Sequence, residues 1–467
     1  MSRLDRSSST DLKLFGTSGI RGRLGRGITP DLAYRMGLSL GTYLGNRGRV
    51  LVGCDLRPQS EPLYKQVVEG ILDSGINALL ASRVATPMLL HAEVELKADS
   101  AVMVTGSHTV PGVTGLLFFK SDGGESDIDM ELSLEKIYFK RLYSIQTNRA
   151  TSESVDAAAI YIERILHHVG DKVKGYTIAF DAGNGSMSLM ASKVLGLAGA
   201  RVIAINDRPD GTFPNRSPYP RRETLGKLAE TVRKRRADFG VGTDGDGDRA
   251  IFVDDSGRVL LGDVSGALLA DHTLQQRFGS VVAPLNSSNL IRFVCRKRNA
   301  PLVVTKVGPP AIVSSIRKVR NAVFGLEETG KYIWPETLLY GDSVYSASRM
   351  CELLSSGSGS LKLLVSELPK YYMEKKMVRC GDVKKQSVMQ IVIRKSRLEF
   401  PNARISTEDG VKVVFEDESW VLLRPSGTES YFRCYAESSS RKRAKELSAA
   451  GMKILRTSLK EFSMTRR

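Results

Sequence analysis

One local pattern recurs three times along this chain: a short apolar run, a polar turn, an amphipathic stretch and a second apolar run. Residues 50–54 open the first copy, with a polar turn at Arg57 and Pro58, an amphipathic stretch over 61–73 and a second run near 78–81. Residues 176–180, the glycine-rich turn 181–185, the stretch 187–197 and the run 202–205 repeat it. Residues 280–284 and 302–305 bracket a third copy, in which Asn286-Ser-Ser-Asn289 is suited to cap a helix. A strand, a helix and a strand within roughly thirty residues make a βαβ unit, which demands a parallel or mixed sheet covered by helices. The last stretch breaks the pattern. Residues 411–415, 420–423 and 431–435 read as short strands, and 441–462 reads as one long helix. The expected fold class is therefore α/β: three related α/β domains with mixed sheets and a smaller C-terminal α+β domain. The expected boundaries give 1–152, 153–256, 257–371 and 372–467.

Composition narrows the class of protein. Hydrophobic residues make up 42% and charged residues 25% of 467, which is ordinary for a folded globular chain. No apolar run reaches membrane-spanning length, and the first ten residues lack the apolar core of a signal peptide; they read as a frayed tail. Five scattered cysteines without CxxC spacing argue against a disulfide framework or a zinc cluster, and for the cytoplasm. The formal charge of +17 raises nucleic acid as a partner. Its clusters, Arg233-Lys-Arg-Arg236, Arg296-Lys-Arg298 and Arg441-Lys-Arg443, have no interleaved aromatics and fit no nucleic-acid module, so they read as solvated surface that draws small anions. The serine-rich stretch 355–360 reads as a surface loop without function.

Chemistry concentrates in four loops. Gly242-Thr-Asp-Gly-Asp-Gly-Asp-Arg-Ala250 places Asp244, Asp246 and Asp248 within five residues, between strand patterns at 238–241 and 250–253. Three carboxylates so close repel unless a cation sits among them, and oxygen ligands favour a hard ion such as Mg2+. An EF-hand is excluded, because it needs glycine at the sixth position and usually glutamate at the twelfth, where Arg249 and Asp255 stand. Thr105-Gly-Ser-His108 follows an apolar strand and offers Ser107 beside His108 at a sheet's C-terminal edge. No G-x-S-x-G elbow is present, but a serine beside a divalent ion is suited to accept and donate a phosphoryl group. Arg424-Pro-Ser-Gly-Thr-Glu429 combines exposed backbone N–H groups, the hydroxyls of Ser426 and Thr428, and the guanidinium groups of Arg424 and Arg433 into an anion nest. No P-loop occurs, so an NTPase has little support. Gly325-Leu-Glu-Glu-Thr-Gly330 offers carboxylates and a hydroxyl suited to sugar hydroxyls.

Together and in this order these loops resemble the α-D-phosphohexomutase family, over nearly the whole chain. Phe15-Gly-Thr-Ser-Gly-Ile-Arg-Gly22, Gly211-Thr-Phe-Pro-Asn215 and Lys306-Val-Gly308 also match. The resemblance implies four domains around one central cleft, each supplying a loop. It implies that Ser107 is a phosphoserine that joins Asp244, Asp246 and Asp248 around one Mg2+ per chain. Arg21 and Arg249 would lie beside the phosphoryl group. Glu327 and Thr329 would grip sugar hydroxyls, with Lys306 also on the substrate. Ser426, Gly427, Thr428 and Arg433, with Arg424, would hold the phosphate that is not transferred. The implied reaction interconverts hexose 1-phosphate and hexose 6-phosphate through a 1,6-bisphosphate, which also serves as activator.

Departures from the family pattern accompany the matches. Leu117 stands where the family has a lysine with an acid/base role, for which His108 is the first substitute and Lys120 the second. Lys331 and Pro309 stand where relatives carry histidine, and Ser430 where they carry proline. The expected protein is a cytoplasmic glucose or mannose phosphomutase, monomeric or homodimeric, bound to neither membrane nor nucleic acid. The alternatives are a phosphoglucosamine mutase, a pentose phosphate mutase, a weakened paralogue that only binds sugar phosphate, and a basic nucleic-acid-binding protein.

Overall fold

The computed structural model describes residues 14–147, 150–357, 359–381, 384–427 and 430–464. The expected N-terminal tail lies outside them. Three sheets share one four-strand plan. In the first, Arg49–Cys54, Asn77–Arg83 and Ser100–Val104 run parallel, and Val113–Lys120 returns antiparallel beside the third of them. In the second, Thr177–Asp181, Arg201–Ile205 and Phe239–Thr243 are parallel and Ala250–Val253 is antiparallel. In the third, Ser280–Pro284, Leu302–Thr305 and Ala322–Leu326 are parallel and Tyr332–Ile333 is antiparallel. The threefold pattern in the sequence is thus a threefold repeat of topology.

The first sheet is extended at both edges, by Ile20–Leu24 with Gly27–Ile28 on one side and by Ser152–Ser154 on the other. That last strand pairs with Asn77–Arg83 across the position where the sequence suggested a boundary. The fourth sheet is wholly antiparallel, in the order Tyr372–Arg379, Tyr431–Ser438, Trp420–Pro425, Val411–Val414 and Arg404–Ser406. The helices Lys385–Glu399 and Arg441–Met464 pack on it. The strand Tyr372–Arg379 and the helix Lys385–Glu399 have no counterpart in the sequence reading. The strand reads Tyr-Met-Glu-Lys-Lys-Met-Val-Arg, buries none of its residues fully, and lacks the apolar–polar alternation that marks a half-buried strand. Ser355 and Ser356 close the helix Ser343–Ser356 rather than opening a loop, and Ser358 lies outside the described residues.

One continuous apolar core runs through the first three units, from Leu51 and Phe119 through Phe180 and Phe239 to Phe324 and Trp334. The fourth has its own core, built from Val411, Val421, Leu423, Phe432, Leu447 and Leu455. It meets the third through a smaller cluster of Leu285, Trp420, Leu422 and Tyr435. No described helix is long and apolar enough to cross a membrane.

The candidate active site

The shared plan puts chemistry at one recurring place. In each of the first three sheets, the loop from the third parallel strand to its antiparallel neighbour carries the candidate residues. Residues 105–112 hold Ser107, 244–249 hold the aspartates, and 327–331 hold Glu327, Thr329 and Lys331. In the fourth sheet, the hairpin between Trp420–Pro425 and Tyr431–Ser438 holds Ser426 and Gly427. Thr428 and Glu429 lie outside the described residues. Loops at the carboxyl ends of parallel strands are where open α/β sheets bind ligands.

Ser107 is 2% exposed and sits at φ +48°, a left-handed conformation unusual for a non-glycine residue. Its surroundings hold it there. The buried Arg57 guanidinium donates to the carbonyls of Ser107 at 2.6 Å, Thr109 at 2.7 Å, and Val110 and Val113 at 3.0 Å. It also pairs with Asp55 at 3.2 Å, and Asp55 accepts from Thr105 Oγ1 and the Gly106 N–H. Thr105 Oγ1 in turn accepts from the Ser107 N–H at 2.7 Å. Arg21 donates to the Gly106 carbonyl at 2.9 Å. Ser107 Oγ is thereby presented to Asp244 Oδ2 at 3.0 Å and to His108 Nδ1 at 3.3 Å.

The aspartate loop lies at the centre of the assembly. Asp244, Asp246 and Asp248 are at most 2% exposed, and one oxygen from each falls within 4.8 Å of the others. Asp244 Oδ1 accepts the N–H groups of Gly247, Asp248 and Arg249, which curls the loop. Thr86 donates to Asp246 Oδ2 at 2.8 Å, and Lys331 Nζ lies 2.9 Å from Asp248 Oδ2. A Cβ on Gly245 would come within 2.6 Å of the Ser107 carbonyl, so glycine there is what lets the two loops touch. Burial and the neighbouring carboxylates push Asp244 and Asp246 above the ordinary carboxylate range. Burial opposes ionisation of Asp248 too, but Lys331 and Arg249 hold it below that range. Asp246 Oδ1 and Asp248 Oδ1 are buried without a hydrogen-bond partner among the described residues. Converging, partnerless carboxylate oxygens fit a hard divalent cation.

The remaining candidates divide. Arg249 is buried, with Nε 3.6 Å from Asp244 and 3.7 Å from Asp248, while its Nε and Nη1 make no hydrogen bond among the described residues. Glu327 is buried and accepts from Thr329 Oγ1 at 3.2 Å. Gly427 packs on Thr17, with room for no Cβ, and Gly308 meets the same threonine. The N-terminal signature thus contacts both the third and the fourth units. Arg424 is turned to Asp409, 3.2 Å away, and Lys306 is exposed without an ion pair among the described residues. Arg433 lies opposite Arg424 across the hairpin. Leu117 is wholly buried opposite Met103 and brings no polar group. Lys120 does not replace it: it sits at the far end of that strand, opposite Ser100, and binds Asp127 at 2.7 Å. His108 is in reach, and burial together with Arg249, Arg21, Lys331 and Arg57 pushes its pKa well below the ordinary value. That environment favours the neutral imidazole, able to accept a proton but a poor reservoir for one.

The chain matches the four successive descriptions of one family, "Phosphoglucomutase/phosphomannomutase". Alpha/beta/alpha domains I, II and III match over residues 12–144, 159–257 and 261–372, and the C-terminal domain over 376–453. The chain belongs to this family. It is a phosphohexomutase, of the isomerase class. It is similar to a "Probable phosphoglucosamine mutase" of Methanopyrus kandleri, 37% identical over 96% of this chain and 99% of the relative. It is also similar to a "Phosphoglucomutase/phosphomannomutase" of Thermococcus kodakarensis, 32% identical over 96% and 99%. A phosphoglucomutase/phosphomannomutase family protein of Burkholderia thailandensis shares the fold, with a TM-score of 0.83 at 23% identity over 95% and 97% of the two chains.

Several members of this phosphohexomutase site escaped the sequence reading. Arg57 looked like part of an ordinary polar turn, Asp55 drew no reading, and Thr86 opens a helix far from any motif. Tyr219, whose ring lies against His108, follows the Gly211 motif between two prolines. That flanking was the one available signal.

Proposed function

We propose that this phosphohexomutase interconverts the 1- and 6-phosphates of glucose or mannose through a phosphoserine at Ser107 and a 1,6-bisphosphate that also activates it. The observation that carries the reading is Ser107 Oγ lying 3.0 Å from Asp244 within the buried aspartate triad. In the forward half-reaction the Ser107 Oγ–P bond breaks and a bond forms to the free hydroxyl of the sugar monophosphate. In the second half, the other phosphate of the bisphosphate returns to Ser107. His108 Nδ1, 3.3 Å from Ser107 Oγ, relays one proton against the phosphoryl group in each half: from the attacking sugar hydroxyl to the serine oxygen as the phosphoryl group leaves Ser107, and from Ser107 to the departing sugar oxygen as the serine is phosphorylated again. Asp244, Asp246, Asp248 and a Ser107 oxygen would hold one Mg2+, which neutralises charge on the phosphoryl oxygens. Arg249, with its partnerless buried donors, and Arg21 would meet those oxygens. Glu327 and Thr329 would grip the hydroxyls. Ser426, Gly427, Thr428 and Arg433 would bind the resting phosphate, with Lys306 and Arg424 joining on closure. Five buried, free cysteines suit a reducing cytoplasm.

A second reading, glucosamine phosphate as substrate, is favoured by the name of the Methanopyrus relative. The buried carboxylate of Glu327 would accept from an ammonium as readily as from a hydroxyl. A panel of glucose, mannose, glucosamine and ribose 1-phosphates, assayed with the matching bisphosphates, decides between them. Ser107→Ala is expected to abolish turnover on whichever sugar is used and to take no label from radiolabelled glucose 1,6-bisphosphate. Undiminished turnover by this variant would overturn the phosphoserine mechanism. Tight sugar-phosphate binding without turnover by the wild type would favour the weakened paralogue.

A further inference from the structure

The loop between the strand Arg201–Ile205 and the helix Gly226–Arg235 carries Tyr219 between Pro218 and Pro220. A residue that precedes proline is held to extended backbone, so Ser217 and Tyr219 both lose conformational freedom. The Tyr219 carbonyl accepts from Thr224 Oγ1 at 2.9 Å. Nearby, Arg216 donates to Asp181 Oδ2 and the Asp181 carbonyl at 3.0 Å, and to the Thr243 carbonyl at 2.7 Å. Thr243 immediately precedes Asp244. The loop is therefore clamped to the strand that ends in the aspartate loop, and Tyr219 stands at a set place beside it.

Its half-buried ring lies against side chains from two units, His108 of the first and Arg249 and Arg221 of the second, with Arg221 Cζ 5.8 Å from its centroid. The His108 ring centroid is 5.3 Å away at a 59° tilt, and Arg249 Cζ lies 5.7 Å from the Tyr219 centroid. Tilted ring pairs and guanidinium groups within roughly 6 Å of a ring face are both attractive contacts. Apart from Ser107, no hydrogen-bond partner fixes the His108 ring among the described residues. Arg249 Nε and Nη1 have none. Two groups that flank Ser107, His108 and Arg249, thus meet one aromatic ring.

We propose that Tyr219 is a positioning residue for phosphoryl transfer. Its ring sets His108 against Ser107 and Arg249 toward the phosphoryl group, and covers that flank against water. The inference rests on Ser107 being the phosphoserine. With the flank open, water competes with the sugar. Its oxygen bonds to phosphorus, the Ser107 Oγ–P bond breaks, the serine regains a proton and inorganic phosphate leaves.

The test labels wild type, Tyr219→Phe, Tyr219→Leu and Tyr219→Ala with radiolabelled glucose 1,6-bisphosphate. It then follows loss of label to water, together with kcat and KM. For Tyr219→Ala, kcat is expected to fall about tenfold and label to be lost about tenfold faster, with KM changed by less than about threefold. Tyr219→Phe keeps the ring and is expected to recover both rates, whereas Tyr219→Leu, with bulk but no aromatic face, is not. Wild-type values of both rates in Tyr219→Ala, or a Tyr219→Phe as impaired as Tyr219→Ala, would overturn the proposal. A wild type that takes no label overturns the phosphoserine reading instead.

Discussion

Lys331 Nζ lies 2.9 Å from Asp248 Oδ2, with both side chains 2% exposed, and so ties the loop of the third sheet to the aspartate loop of the second. The lysine also stands 3.8 Å from the ring centre of Tyr340, which shields it from water. A charge held this deep needs its partner, because burying an unpaired ion costs more than the pair gains.

Lys331→Met should therefore lower stability by about 3–5 kcal/mol, the range seen when one partner of a buried pair is removed. Adding Asp248→Asn should return part of that loss, since the stranded carboxylate is gone. Urea denaturation of both single variants and the double variant measures the coupling. Strict additivity would show that the two side chains stabilise the protein independently.

Asp246→Asn should weaken divalent binding and turnover strongly while leaving the apo fold intact or firmer. The folded state holds the Asp246 pKa above its ordinary value, through burial first and Asp248 second. Its charge therefore opposes folding at neutral pH, and an amide removes that charge while still accepting from Thr86. Mn2+ titration followed by electron paramagnetic resonance reads the first effect, and apo melting temperature reads the second. Wild-type Mn2+ affinity would count against the triad as the metal site.

Arg57→Met should destabilise the first unit by about 3–5 kcal/mol, because it strands the Asp55 carboxylate as well as four carbonyls. Arg57→Lys should recover little of this, since an ammonium cannot reproduce a planar five-donor fork. Denaturation curves with kcat on the same preparations check both. Full recovery by lysine would mean that charge alone, not the fork, holds the serine loop.

Glu125 and Glu131 should each contribute a loss of stability as pH rises from about 4.5 toward 8, opposed below about 6.5 by the histidines that burial depresses. Burial lifts Glu131 to about 8 and Glu125 to about 7. A carboxyl raised in this way keeps its proton in the folded state after the unfolded chain has lost its own. Its cost is absent below the unfolded pKa, grows between the two values and is complete above the folded one. Glu131→Gln, which still accepts from Ser126, should flatten part of the slope in urea midpoints between pH 5 and 8. An unchanged slope would remove Glu131 as a contributor.

Much of this molecule was legible before any coordinates. The strands Ser280–Pro284, Leu302–Thr305 and Ala250–Val253 begin and end where the apolar runs do, because each is a short continuous hydrophobic segment bounded by turn residues. The aspartate loop was legible because three anions in five residues have few structural uses other than holding a cation. Tyr372–Arg379 was not, because half of its residues are charged and none is buried, whereas Lys385–Glu399 carries a helical period, with Val388, Val392 and Ser396 buried every fourth position, that the sequence reading passed over.

The site's second layer was hidden for a different reason. Arg57 meets Ser107 across fifty positions of chain, Thr86 meets Asp246 across 160, and Tyr219 meets His108 from another unit. Lys331 read as a departure from pattern and Lys120 as a catalytic substitute; the packing of the second and third sheets puts the first against Asp248, and the antiparallel register puts the second at the wrong end of its strand. Residue types and spacings express which chemistry a chain carries, because charge density and glycine placement are local properties. Which side chains hold that chemistry in place depends on contacts between distant segments, and only packing of the four units brings those together.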